Sequence, residues 1–203
     1  MNITPISAFS DNYIWMMAHE GRAVIVDPGD PAPVLKTLKE QGLALDTIII
    51  THHHFDHTGG VSALKSATGC RVIGPNNPKI ADIDETMIEG AQVTVLGYGF
   101  EVMEVPGHTL DHIAYYNAED GTLFCGDTLF VGGCGRVFEG TFPMMQQSLA
   151  KLSHLPSKTE VYCTHEYTMA NLSFARKVEP SNTDLMSHIQ TCERKRDSDL
   201  PTV

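Results

Sequence analysis

The sequence predicts an α/β (α+β) fold in which two β-sheets pack together and helices cover their outer faces. Short apolar runs alternate with segments of helical periodicity along the chain, as in mixed folds of this kind. A weak internal similarity suggests two related halves. Strands ending at Asp27 and Asp127 are each followed by a helix and then by a strand ending in Thr-His, at His52 and His165. Because this similarity is short, chance resemblance is the alternative.

The first elements have clear local signals. Residues 12–18 and 22–27 are apolar runs that flank His-Glu-Gly, which predicts a hairpin. Residues 31–41 predict a helix, because proline lies at its start and glycine follows its end. We place Leu35 on its buried face, together with Val34 and Leu38.

The remaining strands are predicted from their β-branched content and the remaining helices from apolar periodicity. In chain order they are a buried strand at 47–51, a helix at 60–68, strands near 92–96, 100–105, 112–116 and 122–125, a helix near 143–154, a strand at 159–163, and helices near 169–178 and 183–196.

Composition narrows the class of protein. The 203 residues, 42% of them hydrophobic and 19% charged, suit one globular domain or a large domain with a small appendage. The net charge of −11 argues against nucleic-acid and anionic-membrane partners, which require clustered cations. No secretory signal or apolar membrane span is visible, and the five cysteines suit reduced thiols. We therefore expect a cytoplasmic monomer that acts on a small molecule.

The segment T-H-H-H-F-D-H at 51–57 concentrates four of the ten histidines. One interpretation is a polar turn with hydrogen-bonded histidines. A second is a helical metalloprotease site, because His53 and His57 are four residues apart, but that motif needs glutamate where His54 stands. The third is a metal site on a loop after a strand, and we favour it.

Backbone geometry divides this loop into two groups of ligands. In an extended segment alternate side chains share a side, so His52 and His54 face one metal while His53 points away. The chain then turns after Phe55, which we expect to pack within the turn, and Asp56 and His57 face a second position. The extra histidine, His53, is left with a packing or ligand-orienting role.

Three later residues at strand ends can complete the site: His108 in P-G-H-T, Asp127 in C-G-D-T and His165 in T-H-E-Y. Singly, each could be a turn histidine, a strand-end cap or a core histidine. Together with the cluster they supply seven nitrogen and oxygen ligands, too many for one tetrahedral ion, so we predict two ions bridged by Asp127. The first binds His52, His54 and His108, and the second binds Asp56, His57 and His165.

Such a ligand set suits divalent metals. We expect two zinc ions, with iron or manganese as alternatives. A pair of ions can hold a bridging hydroxide, because metal binding lowers the pKa of water from ~15.7 toward ~7. The reaction class is then metal-assisted hydrolysis, with Asp56 and Asp127 as the candidate catalytic residues among the ligands.

The pattern H-x-H-x-D-H, followed by a later His, Asp and His, resembles the metallo-β-lactamase superfamily. Within it the chain is most similar to the glyoxalase II (hydroxyacylglutathione hydrolase) family, through T-H-H-H-F-D-H-T-G-G, P-G-H-T-L-D-H, L-F-C-G-D-T-L-F-V-G-G-C-G-R-V-F-E-G and H-E-Y-T. The resemblance implies an αββα sandwich with metals at one edge of the sheets. It also implies a catalytic domain at 1–165 and a short C-terminal helical segment at 166–203.

The same resemblance implies hydrolysis of S-D-lactoylglutathione to glutathione and D-lactate by attack of the bridging hydroxide. Its glutathione contacts map onto Arg136, Phe138 and Tyr167, although some members have lysine and tyrosine at the first two positions. Family members usually continue beyond L-P-T-V at 200–203 with basic residues, so we expect a truncated or shortened substrate site. The alternatives are a persulfide dioxygenase with one iron, a lactonase, or a metal-binding fragment with weakened substrate binding.

Asp27 and His112 have two interpretations. Each could orient a metal-bound imidazole through a hydrogen bond. Each could equally be an ordinary strand-end residue, and the sequence does not separate these roles.

Overall fold

Two β-sheets form the centre of the structure, a computed structural model that describes residues 2–202. The first sheet has the spatial order β1-β2-β3-β4-β5-β6, with Asn2–Ala8 (β1), Asn12–His19 (β2), Arg22–Val26 (β3), Ala44–Ile49 (β4), Arg71–Pro75 (β5) and Glu85–Met87 (β6). The second has the order β13-β10-β9-β8-β7, with Gln92–Val95 (β7), Tyr98–Glu104 (β8), Ile113–Asn117 (β9), Thr122–Gly126 (β10) and Glu160–Cys163 (β13). A short hairpin joins Leu129–Phe130 (β11) to Gly133–Cys134 (β12).

The helices are Pro31–Gln41 (α1), Phe55–Thr58 (α2), Val61–Thr68 (α3), Phe142–Ser153 (α4), Thr168–Val178 (α5) and Thr183–Asp197 (α6). In helix α1, residues at each end explain why the helix begins and ends where it does. The side chain of Asp30 accepts a hydrogen bond from the backbone N–H of Ala32, and Gly42 ends the helix in the left-handed conformation at φ 64°. None of the described helices is long and apolar enough to cross a membrane.

Three apolar layers hold the sheets and helices together. Ile14 and Met16 of β2 belong to the cluster that α1 and α3 cover, whereas Trp15 and Met17 belong to the cluster between the two sheets. A third cluster packs Leu152 of α4 against the outer face of the second sheet. Because β2 is buried on both faces, its sequence is continuously apolar rather than alternating. The order helix, sheet, sheet, helix is an αββα sandwich, which confirms the predicted fold class.

The internal similarity in the sequence has a counterpart in the structure. The units β3-α1-β4 and β10-α4-β13 each join two parallel strands through a helix. In the first unit the Thr51 hydroxyl donates to Asp27 Oδ2 at 2.6 Å. In the second the Thr164 hydroxyl donates to Asp127 Oδ1 at 2.5 Å. An aspartate after the first strand is thus bonded to a threonine after the second strand in both units.

Several local features differ from the expectations, and the short elements β5, β6, α2, β11 and β12 were not among the predicted ones. Strand β1 was not predicted; its Pro5 lacks a backbone donor, which an edge strand tolerates. The strand expected at 47–51 begins earlier and ends earlier, as β4. Leu35 is 38% exposed because it lies about 100° around the helix from Val34, so its predicted burial was wrong. Phe55 begins helix α2 and is 74% exposed rather than packed inside a turn.

Candidate metal centre

Strand direction brings the predicted ligands together. In the second sheet β8, β10 and β13 run in the same direction, because β9 is antiparallel to both β8 and β10 and β13 is parallel to β10. His108, Asp127 and His165 lie just beyond the carboxyl ends of these strands. His52 and His54 follow β4, the corresponding strand of the first sheet. Side chains that are far apart in the sequence therefore meet at one edge of the sandwich.

His52, His54 and His108 form the first group of nitrogen atoms. His52 Nε2 lies 3.1 Å from His54 Nδ1, and His108 Nε2 lies 3.0 Å from the same atom. His52 and His108 are buried and His54 is half-buried. One ligand atom from each lies within 4.8 Å of the others, close enough to surround a single ion.

Asp56, His57 and His165 form the second group. Asp56 Oδ2 lies 3.4 Å from His57 Nε2 and 3.4 Å from His165 Nε2. Helix α2 turns Asp56 and His57 toward this position, immediately after the extended segment that carries His52 and His54. These three side chains also lie within 4.8 Å of one another through their ligand atoms.

Asp127 lies between the two groups, and each of its oxygens faces one of them. Oδ2 is 3.2 Å from His108 Nε2 in the first group. Oδ1 is 3.5 Å from His57 Nε2 and 3.4 Å from His165 Nε2 in the second. This is the arrangement that a carboxylate shared by two ions requires, although the ligand roles of these residues stay a prediction.

The chemistry of the site suits bound cations. Five imidazoles and two carboxylates offer nitrogen and oxygen ligands of the kind that zinc, iron and manganese accept. His57 Nε2 is buried and lacks a hydrogen-bond partner among the residues that the structure describes, and it points at Asp56 and Asp127. An unpaired buried nitrogen costs free energy, which coordination to a metal ion would offset.

The first group is held in the neutral form that binds metals. Burial, reinforced by the neighbouring imidazoles, lowers the pKa of His52 well below its usual value. Burial is also the main cause that lowers the pKa of His54 and His108. A neutral imidazole has a free nitrogen lone pair, so these residues need not lose a proton before they coordinate an ion.

The second group attracts positive charge. Burial opposes a charged His165, but the carboxylates of Asp127, Asp56 and Asp11 outweigh it and raise its pKa to about 10. The pKa of His57 is likewise raised, since the nearby carboxylates outweigh burial. The field that favours protons here also favours a divalent cation, which would replace them.

Two residues with open roles contact the ligands directly. Asp27 Oδ2 lies 3.1 Å from His57 Nδ1, so this carboxylate orients the imidazole. His112 Nε2 accepts a hydrogen bond from the backbone N–H of Asp127 at 3.0 Å. The ring of His112 also stacks on that of His52, with centroids 4.6 Å apart. Both residues therefore contact predicted ligands, which favours the orienting role over that of an ordinary strand-end residue.

His53 points away from both groups, as the extended geometry predicts. Its Nδ1 lies 2.9 Å from Asp111 Oδ1, and its Nε2 lies 3.2 Å from Lys79 Nζ and 3.5 Å from Glu139 Oε1. Glu139 in turn accepts a hydrogen bond from the backbone N–H of Leu110. The side chain of His53 thus links the loop at 51–57 to the loop after β8 and to the segment after β12.

Replacing His53 with alanine is expected to leave two metal ions bound per chain. The change removes one partner of the half-buried Asp111, which keeps the hydrogen bond from Asn77, and should cost about 1–3 kcal/mol of unfolding free energy. Metal content after gel filtration, measured by mass spectrometry, checks the first expectation, and chemical denaturation checks the second. A variant that folds but loses metal would contradict the outward placement of His53.

The sequence analysis missed Asp11, in the turn between β1 and β2, and Asn12, the first residue of β2. Asp11 Oδ1 lies 2.8 Å from His165 Nδ1, and Asn12 Nδ2 donates to Asp56 Oδ2 at 3.0 Å. The only signal in the sequence is a pair of polar residues before an apolar strand. That signal is indistinguishable from an ordinary polar turn.

A cavity of about 380 Å³ opens beside the cluster, and the three predicted substrate contacts line it with His54, Asp56, His108, Asp127 and His165. Arg136 Cζ lies 5.1 Å from the ring centre of Phe138. Tyr167 stacks on His165 with centroids 4.7 Å apart and planes 5° apart. The cavity therefore combines one cation, exposed aromatic surface and the ligand cluster.

Comparison with known proteins agrees with this architecture. The family model of the metallo-beta-lactamase superfamily matches residues 9–165, and that of the hydroxyacylglutathione hydrolase C-terminus matches residues 166–203. Among solved structures, ETHE1 from Myxococcus xanthus is 32% identical with a TM-score of 0.74, covering 82% of this chain and 76% of that one. TTHA1623 in a di-iron-bound form is 28% identical with a TM-score of 0.70, covering 80% and 91%.

A relative of known name is closer in sequence. The hydroxyacylglutathione hydrolase of Chromohalobacter salexigens is 52% identical over 206 residues, which cover 100% of this chain and 81% of that protein. The superfamily match and the cluster of histidines and aspartates together imply that the chain binds divalent metal ions. A superfamily match over most of the chain and this degree of identity place it clearly: the chain belongs to the hydroxyacylglutathione hydrolase family of the metallo-beta-lactamase superfamily.

Proposed function

We propose that this chain is a thioester hydrolase that converts S-D-lactoylglutathione, a 2-hydroxyacyl-glutathione, to glutathione and D-lactate. The observation that carries the proposal is the joint position of the predicted ligand cluster and the cavity, since Asp127 and His108 line the same cavity as Arg136 and Tyr167. The name of the relative from Chromohalobacter salexigens, hydroxyacylglutathione hydrolase, supports the same substrate class.

Two divalent ions would be held by the two groups, with Asp127 shared. We propose zinc for both, with iron or manganese as alternatives, because imidazole and carboxylate ligands suit all three. When bound, such ions supply a water whose pKa falls from ~15.7 toward ~7 and a positive charge that polarises the thioester carbonyl. Among the ligands, Asp56 and Asp127 are the proposed catalytic carboxylates.

The chain's own residues then bind and orient the thioester. The Arg136 guanidinium can pair with a carboxylate of glutathione, which is an anionic peptide. Phe138 offers an apolar surface that is 58% exposed, and the hydroxyl of Tyr167, which also lines the cavity, offers a hydrogen bond. Because a thiolate is a good leaving group, we assign no separate general acid.

We further propose that the chain consists of a catalytic domain and a C-terminal segment. Residues 1–165 form the catalytic domain, and residues 166–203 form a C-terminal helical segment that contributes Tyr167 to the cavity. We propose a cytoplasmic monomer without nucleic-acid or membrane partners. Light scattering of the purified protein tests the oligomeric state.

A single experiment tests the activity. Protein loaded with two zinc ions should release free thiol from S-D-lactoylglutathione, chelator-treated protein should not, and added zinc should restore the rate. Fully loaded protein that releases no thiol but opens a lactone or a β-lactam would overturn the proposal. Oxygen uptake with glutathione persulfide by a protein holding one iron would overturn it in favour of a dioxygenase.

Replacing Arg136 with alanine is expected to raise KM for the glutathione thioester about tenfold or more and to change kcat little. A hydrogen bond to a charged group is worth about 1.5–3 kcal/mol, and the contact lies far from the reacting carbonyl in this proposal. Steady-state kinetics of Arg136→Ala and Arg136→Lys measure the effect, with lysine retaining part of the affinity. A fall in kcat at unchanged KM would contradict a binding role.

A further inference from the structure

The turn between β1 and β2, taken here to include Asn12 at the start of β2, contacts two of the proposed ligands of the second metal ion. We propose that Asp11 and Asn12 are positioning residues, which hold His165 and Asp56 in the orientation that binds this ion. The proposal rests on the metal-binding part of the proposed function and is independent of the substrate.

Asp11 determines which nitrogen of His165 is available. Its Oδ1 lies 2.8 Å from His165 Nδ1, and a carboxylate only accepts, so Nδ1 donates the proton. The Nε2 lone pair is then left for a metal ion. This Nε2 faces the cluster, at 3.4 Å from both Asp56 Oδ2 and Asp127 Oδ1.

Asn12 restrains the other ligand. Its Nδ2 donates to Asp56 Oδ2 at 3.0 Å, and the same oxygen lies 3.4 Å from the Nε2 atoms of His57 and His165. The side chain of Asp56 is 39% exposed, whereas Asn12 is 6% exposed. A buried donor therefore fixes a carboxylate that solvent would otherwise leave free to rotate.

The turn itself is held against the segment that carries His165. The backbone N–H of Tyr13 donates to Thr164 O at 2.7 Å, and that of Glu166 donates to Asp11 O at 2.9 Å. The Tyr13 hydroxyl also donates to Glu166 Oε2 at 2.7 Å. Residues 11–13 are thus bonded to the backbone on both sides of His165, through Asp11 to Glu166 and through Tyr13 to Thr164, which fixes the side chain of Asp11 beside that of His165.

The first group of ligands has different supports. His108 Nδ1 donates to the backbone oxygen of Arg136 at 2.7 Å, and His52 Nδ1 lies 3.1 Å from the hydroxyl of Thr51. Neither contact involves the turn. A change in Asp11 or Asn12 should therefore weaken the second metal ion and spare the first.

Metal titration of the full chain tests this selectivity. Metal-free Asp11→Ala and Asn12→Ala would be titrated with zinc against a chromogenic chelator. We expect the first equivalent to bind as in the parent chain and the second to bind about 10–100-fold more weakly, as when outer partners of metal ligands are lost. Asp11→Asn keeps an acceptor and should lose less than alanine.

Two further variants calibrate the result. Asp56→Ala removes a proposed ligand and should abolish the second equivalent. Asp46→Ala removes the same charge as Asp11→Ala but breaks a contact with Arg22, away from the proposed ligands. It should bind both equivalents as the parent does.

Two outcomes would overturn the proposal: parent-like binding of both equivalents by Asp11→Ala, or equal weakening of both. Thermal unfolding of the metal-free variants detects a folding defect, and in that case Asp11→Asn decides between the outcomes. Because no thioester enters the titration, a parent chain that binds two ions but hydrolyses nothing would refute the proposed substrate and leave this inference standing.

Discussion

Replacing Asp127 with asparagine is expected to lower kcat/KM for the glutathione thioester by at least about 10³-fold. Asp127 places one oxygen 3.2 Å from His108 Nε2 and the other 3.4 Å from His165 Nε2. Asparagine keeps one oxygen and replaces the other with an amide that donates, so it can serve only one of the two ligand groups. Metal-derived stabilisation of about 4 kcal/mol would account for the loss.

Metal analysis and kinetics of the same preparation check this expectation. We expect Asp127→Asn to hold fewer than two ions per chain, with the deficit matching the loss of rate. Asp46→Asn is the matched control, because it makes the same chemical change beside Arg22. An Asp127→Asn protein with two ions and activity within about tenfold of the parent would exclude a shared carboxylate at this position.

The fold was largely predictable because its signals are local. Helix α1 was predicted from Pro31 to Gln41 with both ends correct, since the chain begins the helix with proline and ends it at Gly42. The placement of His52, His54 and His53 also follows from a local rule, the alternation of side chains in an extended segment. The αββα layering followed from the order of the elements and from the resemblance to the superfamily.

The contacts around the cluster were not predictable in the same way. Asp11 and His165 are 154 residues apart, and the backbone pairing of residues 11–13 with residues 164–166 brings them together. No residue close to Asp11 in the sequence indicates this pairing. His112 is similar, since its role depends on the backbone N–H of Asp127, whose position is set by the second sheet. The positions of side chains that contact the predicted ligands thus depend on tertiary pairing. The predicted ligands themselves lie in short sequence motifs that can be recognised directly.

Replacing Asp27 with alanine is expected to lower the free energy of unfolding by about 3–5 kcal/mol, even without metal. Asp27 is 1% exposed. Its Oδ1 accepts from the backbone N–H of Thr51 at 2.7 Å, and its Oδ2 accepts from the Thr51 hydroxyl at 2.6 Å and lies 3.1 Å from His57 Nδ1. Alanine would leave these donors buried without a partner, at about 1–3 kcal/mol each.

Asp27→Asn is the variant to compare with Asp27→Ala, because the two residues differ in how well they tolerate the backbone conformation at this position. Asp27 has φ 53°, a left-handed conformation that aspartate and asparagine tolerate better than alanine. Asparagine therefore keeps the backbone preference and one acceptor, and its loss should be smaller than that of alanine. Thermal unfolding of metal-free protein measures both, with a fall in Tm of about 6–20 °C expected for alanine in a chain of this size. A loss below about 1 kcal/mol would show that water or local rearrangement satisfies the donors.

Comparing Asp27→Asn with Asp127→Asn tests whether the two equivalent aspartates have different roles. Asp27 and Asp127 occupy equivalent places, each bonded to a threonine after a parallel strand. Asp27 bonds to Thr51 and to Nδ1 of His57, the imidazole nitrogen that faces away from the cluster. Asp127 instead faces nitrogen atoms of both predicted ligand groups. Because of this difference, we expect Asp27→Asn to lose more stability than Asp127→Asn in metal-free protein. Added zinc should then stabilise the parent chain far more than it stabilises Asp127→Asn.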